Sequence, residues 1–384
     1  MQTLRRIYGA SFIFSISLAL AAYVNSSFLS EHVGVHLVGI IYAIAALLII
    51  AGLEILPKII ERIGNRSNIF ILIIFNMCAL AILSSGGSPI LTAGAFIVFN
   101  TTNSLIWYSL DIFIEHFSAN KKVGSIRGAY LSLTNFAWVL SPIIAGTIVT
   151  MFGFSSLYTV VLVVIAVLSI ILHFSLRTYH DNKYRPLSSI QAFKSLLKRP
   201  DLLRITTVNF ILQFFYSWMV IYAPLYLHEV HHISFETIGI MFTIMVMPFV
   251  LLEYPIGRLS DAIHHERELI QIGILILAGS TFLFGYSLFN GNIIIITAIL
   301  FATRCGAGIV EVITESYFFK SVTDRDAEII GLFRTTYPLA YLIAPLCATI
   351  ILGYTSYNTL FLILGGFVLL AIFPLDRLAN LENA

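Results

Sequence analysis

"FATRCGAGIVEVITESYFFK", residues 301–320, is apolar enough to cross a membrane, yet it carries Arg304, Glu311 and Glu315. Each helical residue advances by about 100°, so Glu311 and Glu315 fall about 20° to either side of Arg304, on one stripe. A charge at the bilayer centre costs on the order of 3 kcal/mol even on lenient insertion scales, so such a stripe faces a bundle interior or a water-filled cavity. The stretch predicts a membrane helix packed among others, with a polar interior.

The rest of the chain agrees. Of 384 residues, 58% are hydrophobic and 11% charged, against about 25% charged in ordinary soluble domains. Cys78, Cys305 and Cys347 lie in apolar stretches, and none sits in a metal-type or CxxC spacing, so they read as small core residues. The N-terminal "MQTLRRIYGASFIFSISLALAAYVNSSFL" begins like a signal peptide. Its apolar part runs for about 20 residues with no cleavage site to end it, and it reads as a retained first span.

Twelve segments reach spanning length: 7–29, 33–56, 69–84, 90–113, 127–151, 155–177, 203–228, 235–256, 268–288, 293–318, 329–352 and 356–377. The links after the odd-numbered spans ("SEHVG", "SSGGSP", "FGFSS", "HEVHHIS", "NGN", "YTSYN") contain no lysine or arginine. The other side holds nearly all the positive charge, including Arg5, Arg6, Lys58, Arg62, Arg66, Lys121, Lys122, Arg127 and the stretch from Arg177 to Arg204. By the positive-inside bias both termini are expected in the cytoplasm, with the protein in the cytoplasmic (inner) membrane.

One long polar connection, 178–202, divides the chain into halves 1–177 and 203–384. Its "SSIQAFKSLLKR" has the amphipathic character of a helix along the membrane surface, and reads equally as a plain linker. The halves repeat each other. "LEILPKIIERIGNR" (53–66) has a counterpart in "LEYPIGRLSDAIHHER" (252–267), and "GAYLSLTNFAWVLSPIIAG" matches "GLFRTTYPLAYLIAPLCAT", with Pro142 answering Pro345. Such repeats are a transporter signature. The expected fold is all-α and polytopic, with twelve transmembrane helices in two pseudo-symmetric six-helix halves.

These residues resemble the major facilitator superfamily along essentially the whole chain. The family's G-x-x-x-D-R-x-G-R-R or K loop is matched by Glu61, Arg62, Gly64 and Arg66, with Pro57 and Asn65 departing, and a second copy keeps Gly257 and Asp261. Leu300, Arg304 and Gly308 resemble the L-x-x-x-R-x-x-x-G motif of its drug–proton antiporters, displaced from span 4 to span 10, where span 4 has Asn100. "LSPIIAG" is similar to their G-P-x-x-G-G element, with Ser141 and Ala145 in place of glycines.

Arg304 lies about 24 Å from Lys320 along the helix axis, too deep to reach the cytoplasmic surface. It either binds an anionic solute group or sets the protonation of Glu311, about 10 Å away; the alternative is a buried bridge to a neighbouring helix. Glu311 sits near mid-bilayer, where burial and a nearby cation act oppositely on its charge, the balance a proton-coupled site requires. It is the candidate coupling site, or else a structural carboxylate. Asp111 and Glu315 occupy corresponding places in spans 4 and 10, and Glu115 lies one turn beyond Asp111. The resemblance implies that such acids meet Arg62 and Arg66 in a cytoplasmic gate that includes Glu61, Gly64, Gly257 and Asp261. Arg334 either reaches the cytoplasm or partners Glu315 or Glu311.

The resemblance also implies a cavity lined by spans 1, 4, 7 and 10, with 2, 5, 8 and 11 beside them. The polar and aromatic residues there are Asn25, Asn100, Asn103, Trp107, Asn135, Trp138, Asn209, Gln213, Tyr216, Trp218, Tyr222, Tyr337 and Tyr341. Apolar and aromatic walls with a few polar groups suit an amphipathic organic solute. His228, His231 and His232 with Glu229 form a loop cluster that reads as a metal site, a pH sensor or simply a solvated loop.

No G-x-x-x-x-G-K-[ST] motif appears, and no cofactor, metal, nucleic-acid partner or enzyme activity is expected. The expectation is a transporter in the lipid bilayer, a functional monomer by the resemblance, that exchanges protons for a small-molecule substrate by alternating access. Efflux of amphipathic compounds comes first. Proton-coupled uptake of a sugar, organic anion or peptide is the alternative, followed by a membrane sensor or scaffold.

Overall fold

The computed structural model describes residues 2–118, 123–177, 189–263, 265–286, 292–322, 327–376 and 378; of these, the side chains of 2–8, 114–118, 123–135, 189–192, 253–254, 257–263 and 327–328 are outside the description. Helices account for nearly all of it, and no strand occurs among the described residues. In order they are α1 (Gln2–Ala22), α2 (Asn25–Val33), α3 (Val35–Ile63), α4 (Asn65–Ser85), α5 (Pro89–Ser118), α6 (Val123–Ser175), α7 (Ser189–Leu197), α8 (Pro200–Leu225), α9 (Phe235–Ile263), α10 (Glu266–Gly285), α11 (Ile293–Lys320), α12 (Ala327–Leu352), α13 (Tyr357–Leu369) and α14 (Ile372–Leu375).

Among the described residues, ten helices are long and apolar enough to cross a bilayer, and the α1–α2 pair, bent by 45°, makes an eleventh if counted as one span. The twelfth is hidden in α6. At Gly153 the backbone leaves helical geometry (φ 79°, ψ 172°), so the 53-residue element is two helices joined at one residue. The shorter piece, 154–175, is about 33 Å long, enough to span. The expected "FGFSS" link is therefore hardly a loop, and glycine is what allows a left-handed φ at the join.

The first span departs from the continuous helix expected over 7–29. It breaks at Tyr23 and Val24, and α2 opens with Asn25, Ser26 and Ser27, all buried. These residue types compete with the backbone for hydrogen bonds and form helix poorly. Asn25 is held from outside its own helix, accepting a bond from the Tyr158 hydroxyl at 2.8 Å.

The chain divides into two compact units, Met1–Pro186 with Ile233–Thr243, and Leu187–His232 with Ile244–Ala384. In the first, α1 packs on α6, α4 on α5 and α6, and α3 on α5. The start of α9 belongs to this unit and lies backbone to backbone against α6: a Cβ on Gly239 would stand 2.5 Å from the Pro142 carbonyl, and one on Gly146 would strike that of Phe235. Small residues permit such close helix approach in membranes. In the second unit α10 packs on α11 and α13, α8 on α12 and α11, and α7 on α12 and α8. The amphipathic stretch of the middle connection is thus helical at Ser189–Leu197. It buries Leu196 and leaves Phe193 and Leu197 exposed.

Candidate functional site

The second unit brings Arg304, Glu311 and Tyr216 together. Gly306 turns one face of α11 onto α10 so closely that a Cβ there would lie 2.5 Å from the Leu277 amide nitrogen. Arg304, two residues earlier, is turned about 200° away from that contact and meets α8 and α9. Its guanidinium carbon lies 5.5 Å from the Phe215 ring centroid, 5.1 Å from Tyr216 and 6.0 Å from Phe249. Ring faces carry negative partial charge and attract the cation. A Cβ on Gly308 would meet the Phe249 ring at an ordinary contact distance of 3.6 Å, so the ring packs directly over this glycine. The arginine of the L-x-x-x-R-x-x-x-G pattern thus sits in an aromatic cage built by α8 and α9.

The ring faces offer the guanidinium no oxygen acceptor. Arg304 is 1% exposed, and its Nε and Nη1 have no hydrogen-bond partner among the described residues. Tyr216 faces both ways, its ring against Arg304 and its hydroxyl donating to Oε2 of the half-buried Glu311 at 2.6 Å. One turn further, Glu315 is occupied by Arg334 of α12 at 2.7 Å. On α12, the Tyr337 and Tyr341 rings lie with centroids 4.6 Å apart, tilted by 38°, and Tyr337 is 43% exposed.

Other candidates turn out to tie helices together. Asn209 donates to Thr336 at 2.8 Å, Trp218 to the Ala344 carbonyl at 2.6 Å and Tyr222 to the Pro345 carbonyl at 3.2 Å, joining α8 to α12. Asn103 accepts from Asn76 at 2.8 Å, joining α4 to α5. Trp107 lies 6.0 Å from Phe14, and Trp138 meets Tyr23 edge-on at 6.3 Å. Asn100 and Gln213 are half-buried. Among the gate candidates, Glu61 and Arg62 are exposed at the end of α3, Gly64 ends that helix with φ 81°, Arg66 is half-buried and Asp111 is exposed on α5. Glu115, Asn135, Gly257 and Asp261 lie where side chains are outside the described residues.

The loop histidines form no cage. Among the described residues no group of three or more His, Cys, Asp or Glu side chains is placed to hold a metal ion. His231 packs edge-on against Tyr226 at 4.7 Å, and burial together with the neighbouring His232 holds its pKa below the usual histidine value. The backbone here, Tyr226–Val230, is a π-helical turn. Asn358 braces it by donating to the Tyr226 hydroxyl at 3.0 Å.

Sequence reasoning missed two sets of polar groups. Asn65, Asn68 and Asn76 of α4 are buried and bond to Ser109, Thr102 and Asn103 of α5. Asn76 is a lone amide in an apolar run, a signal that marks an interhelical bond as well as it marks a cavity, while Asn65 and Asn68 flank Arg66 in "NRSN" and read as part of a polar link. The other is Glu266 at the start of α10, 0% exposed, with Lys320 Nζ 3.4 Å from Oε1 and no hydrogen-bond partner for Oε2. Removing the cation should hurt more than neutralising the acid, because a buried carboxylate left alone is the costly state. Lys320→Ala is expected to destabilise by roughly 2 kcal/mol, the buried-pair cost discounted because Lys320 is 34% exposed, and Glu266→Gln by less. Thermal midpoints of the two variants in detergent check the order.

The family model of the Major Facilitator Superfamily matches residues 7–322 and, in a second match, 223–379. Solved structures similar in fold include the nucleoside transporter NupG, at 14% identity over 98% of this chain and 99% of that one, with a TM-score of 0.77. The POT family transporter PepTSo has 12% identity over 98% and 97%, with a TM-score of 0.75. An auto-inhibited POT family peptide transporter has 11% identity over 98% and 96%, with a TM-score of 0.76. No curated sequence matches the chain. At these identities the likenesses speak for the fold, while the family match covers most of the sequence. With its multi-pass helical architecture and repeated halves, the chain belongs to the major facilitator superfamily of membrane transporters.

Proposed function

We propose that this protein couples proton movement to the transport of a small organic solute by alternating access, with Glu311 as the protonation site. The Tyr216–Glu311 hydrogen bond is the observation that carries the reading. A phenol can donate to a carboxylate or to the carbonyl oxygen of a carboxylic acid, so the bond survives either charge state. Glu311 can gain and lose a proton without leaving its position, and Arg304 on the other side of the same ring responds to the change in charge.

Efflux of amphipathic compounds is supported by the Leu300, Arg304 and Gly308 pattern and by the aromatic residues around it. Uptake has a specific observation in its favour too: the unpartnered guanidinium is suited to a solute's anionic group. Reconstitution into proteoliposomes with a lumenal pH dye tests the common core. Addition of a transported solute should drive a proton flux that a protonophore collapses. Solute movement with no accompanying proton flux would sink the proposal. The direction follows from whether the proton and the solute move together or in opposite senses.

A further inference from the structure

We infer that Arg304 is the anion-binding group of the solute site, that the solute is an organic anion with an aromatic or apolar body, and that it binds together with the proton on Glu311. The inference rests on the proton-coupled reading above and names the substrate class of that same site.

The argument begins with charge. A guanidinium stays protonated in any protein environment and presents N–H donors that aromatic rings cannot satisfy as an oxygen does. Arg304 is almost wholly enclosed, with Nε and Nη1 unpartnered, and such donors are retained at a cost unless something accepts from them part of the time. Among the described residues, the acids nearby are committed elsewhere. Glu315 pairs with Arg334 at 2.7 Å, and Glu311 accepts from Tyr216 at 2.6 Å. Among the described residues, the charged groups around Glu311 are Glu315 and Arg304 on its own helix and Arg334 on α12; α8 presents Tyr216, α9 presents Phe249, and α10 meets α11 through Gly273 and Leu277.

The charge of the site then depends on one proton. With Glu315 and Arg334 cancelling, an ionised Glu311 balances Arg304 and the site is neutral. A protonated Glu311 leaves one uncompensated positive charge beside two nitrogens unpartnered among the described residues. Only the second state calls for an anion, so proton and anion each raise the other's affinity, as linkage requires. The aromatic cage and the tilted Tyr337–Tyr341 ring pair, with Tyr337 partly exposed, supply an apolar surface for the body of such a solute. A proton and an anion that bind cooperatively travel in the same direction.

The test uses the full-length protein in lipid nanodiscs with phenylacetate, indole-3-acetate and benzenesulfonate as probes, each beside its neutral primary amide. Benzenesulfonate stays ionised throughout, so pH acts on the protein alone. Thermal midpoints at acid and neutral pH should show stabilisation by the anions, stronger at acid pH, and little by the amides. Arg304→Gln should weaken anion binding by about tenfold or more, as expected for a lost charge-assisted hydrogen bond. Arg304→Lys should retain part of it. Glu311→Gln should bind anions at every pH as the wild type does in acid. Equal stabilisation by anions and amides, no stabilisation by any anion, or undiminished binding in Arg304→Gln would overturn the inference. If Arg304→Gln does not fold, the comparison of anions with amides on the wild type still decides. Anion binding that needs Arg304 but ignores pH keeps the substrate class, overturns joint binding and removes Glu311 from the coupling role.

Discussion

Glu311→Gln is expected to give a folded protein in which solute movement is no longer tied to protons. Glutamine has nearly the shape of glutamate, and its side-chain carbonyl can still accept from Tyr216, now at 2.6 Å from Oε2. What disappears is the capacity to ionise. Exchange of labelled for unlabelled solute should persist, because it needs only the site and the change between inward- and outward-open states. Proton-driven movement should vanish. One coupled proton and a pH difference of one unit would sustain about a tenfold concentration ratio, since each unit corresponds to about 1.4 kcal/mol; in the variant the ratio should fall to about one. The decisive comparison is exchange against gradient-driven flux in the same proteoliposomes. A variant that still accumulates solute would remove Glu311 from the mechanism.

Gly306→Val is expected to have the largest effect on folding. A Cβ there would lie 2.5 Å from the Leu277 nitrogen, 2.7 Å from the Gly273 carbonyl oxygen and 2.9 Å from the Leu277 Cα. All are backbone atoms of α10 and cannot swing aside. The two helices must separate, and a cost at the upper end of overpacking, about 3 kcal/mol or more, should follow. The control is Gly308→Ala, whose Cβ would meet only the Phe249 ring at the ordinary distance of 3.6 Å. The first variant should give little monodisperse protein and a strongly lowered thermal midpoint, and the second nearly wild-type behaviour. Equal midpoints would show that the α10–α11 approach is not what holds α11 in place.

What could be read in advance divides along a physical line. Spans follow from composition summed over about 20 residues, and neighbouring errors cancel within such a window. The charged stripe of α11 follows from helical periodicity, which is local. Interhelical register is neither. Tyr216 was legible as a polar aromatic on a cavity helix, but its bond to Glu311 depends on how α8 slides along α11. The same gap explains Asn209, Trp218, Tyr222 and Asn103, whose partners on α12 and α4 satisfy them within a unit. An amide seeking a carbonyl and one lining a cavity look identical in sequence. Glu266 was missed for a different reason: in "HHERE" it reads as one more charge of a cytoplasmic link, and only the approach of Lys320 from α11 shows it to be buried.

The join at Gly153 bears on how the protein can be handled. Two membrane crossings share a single non-helical residue, so there is no slack chain between them for a protease to grip or an inserted epitope to occupy. Scanning insertions should be refused there and accepted in connections with spare length. A reporter for sidedness therefore belongs elsewhere, while Met151 and Phe152, 67% and 66% exposed beside the join, offer single side chains for replacement by a labelled cysteine.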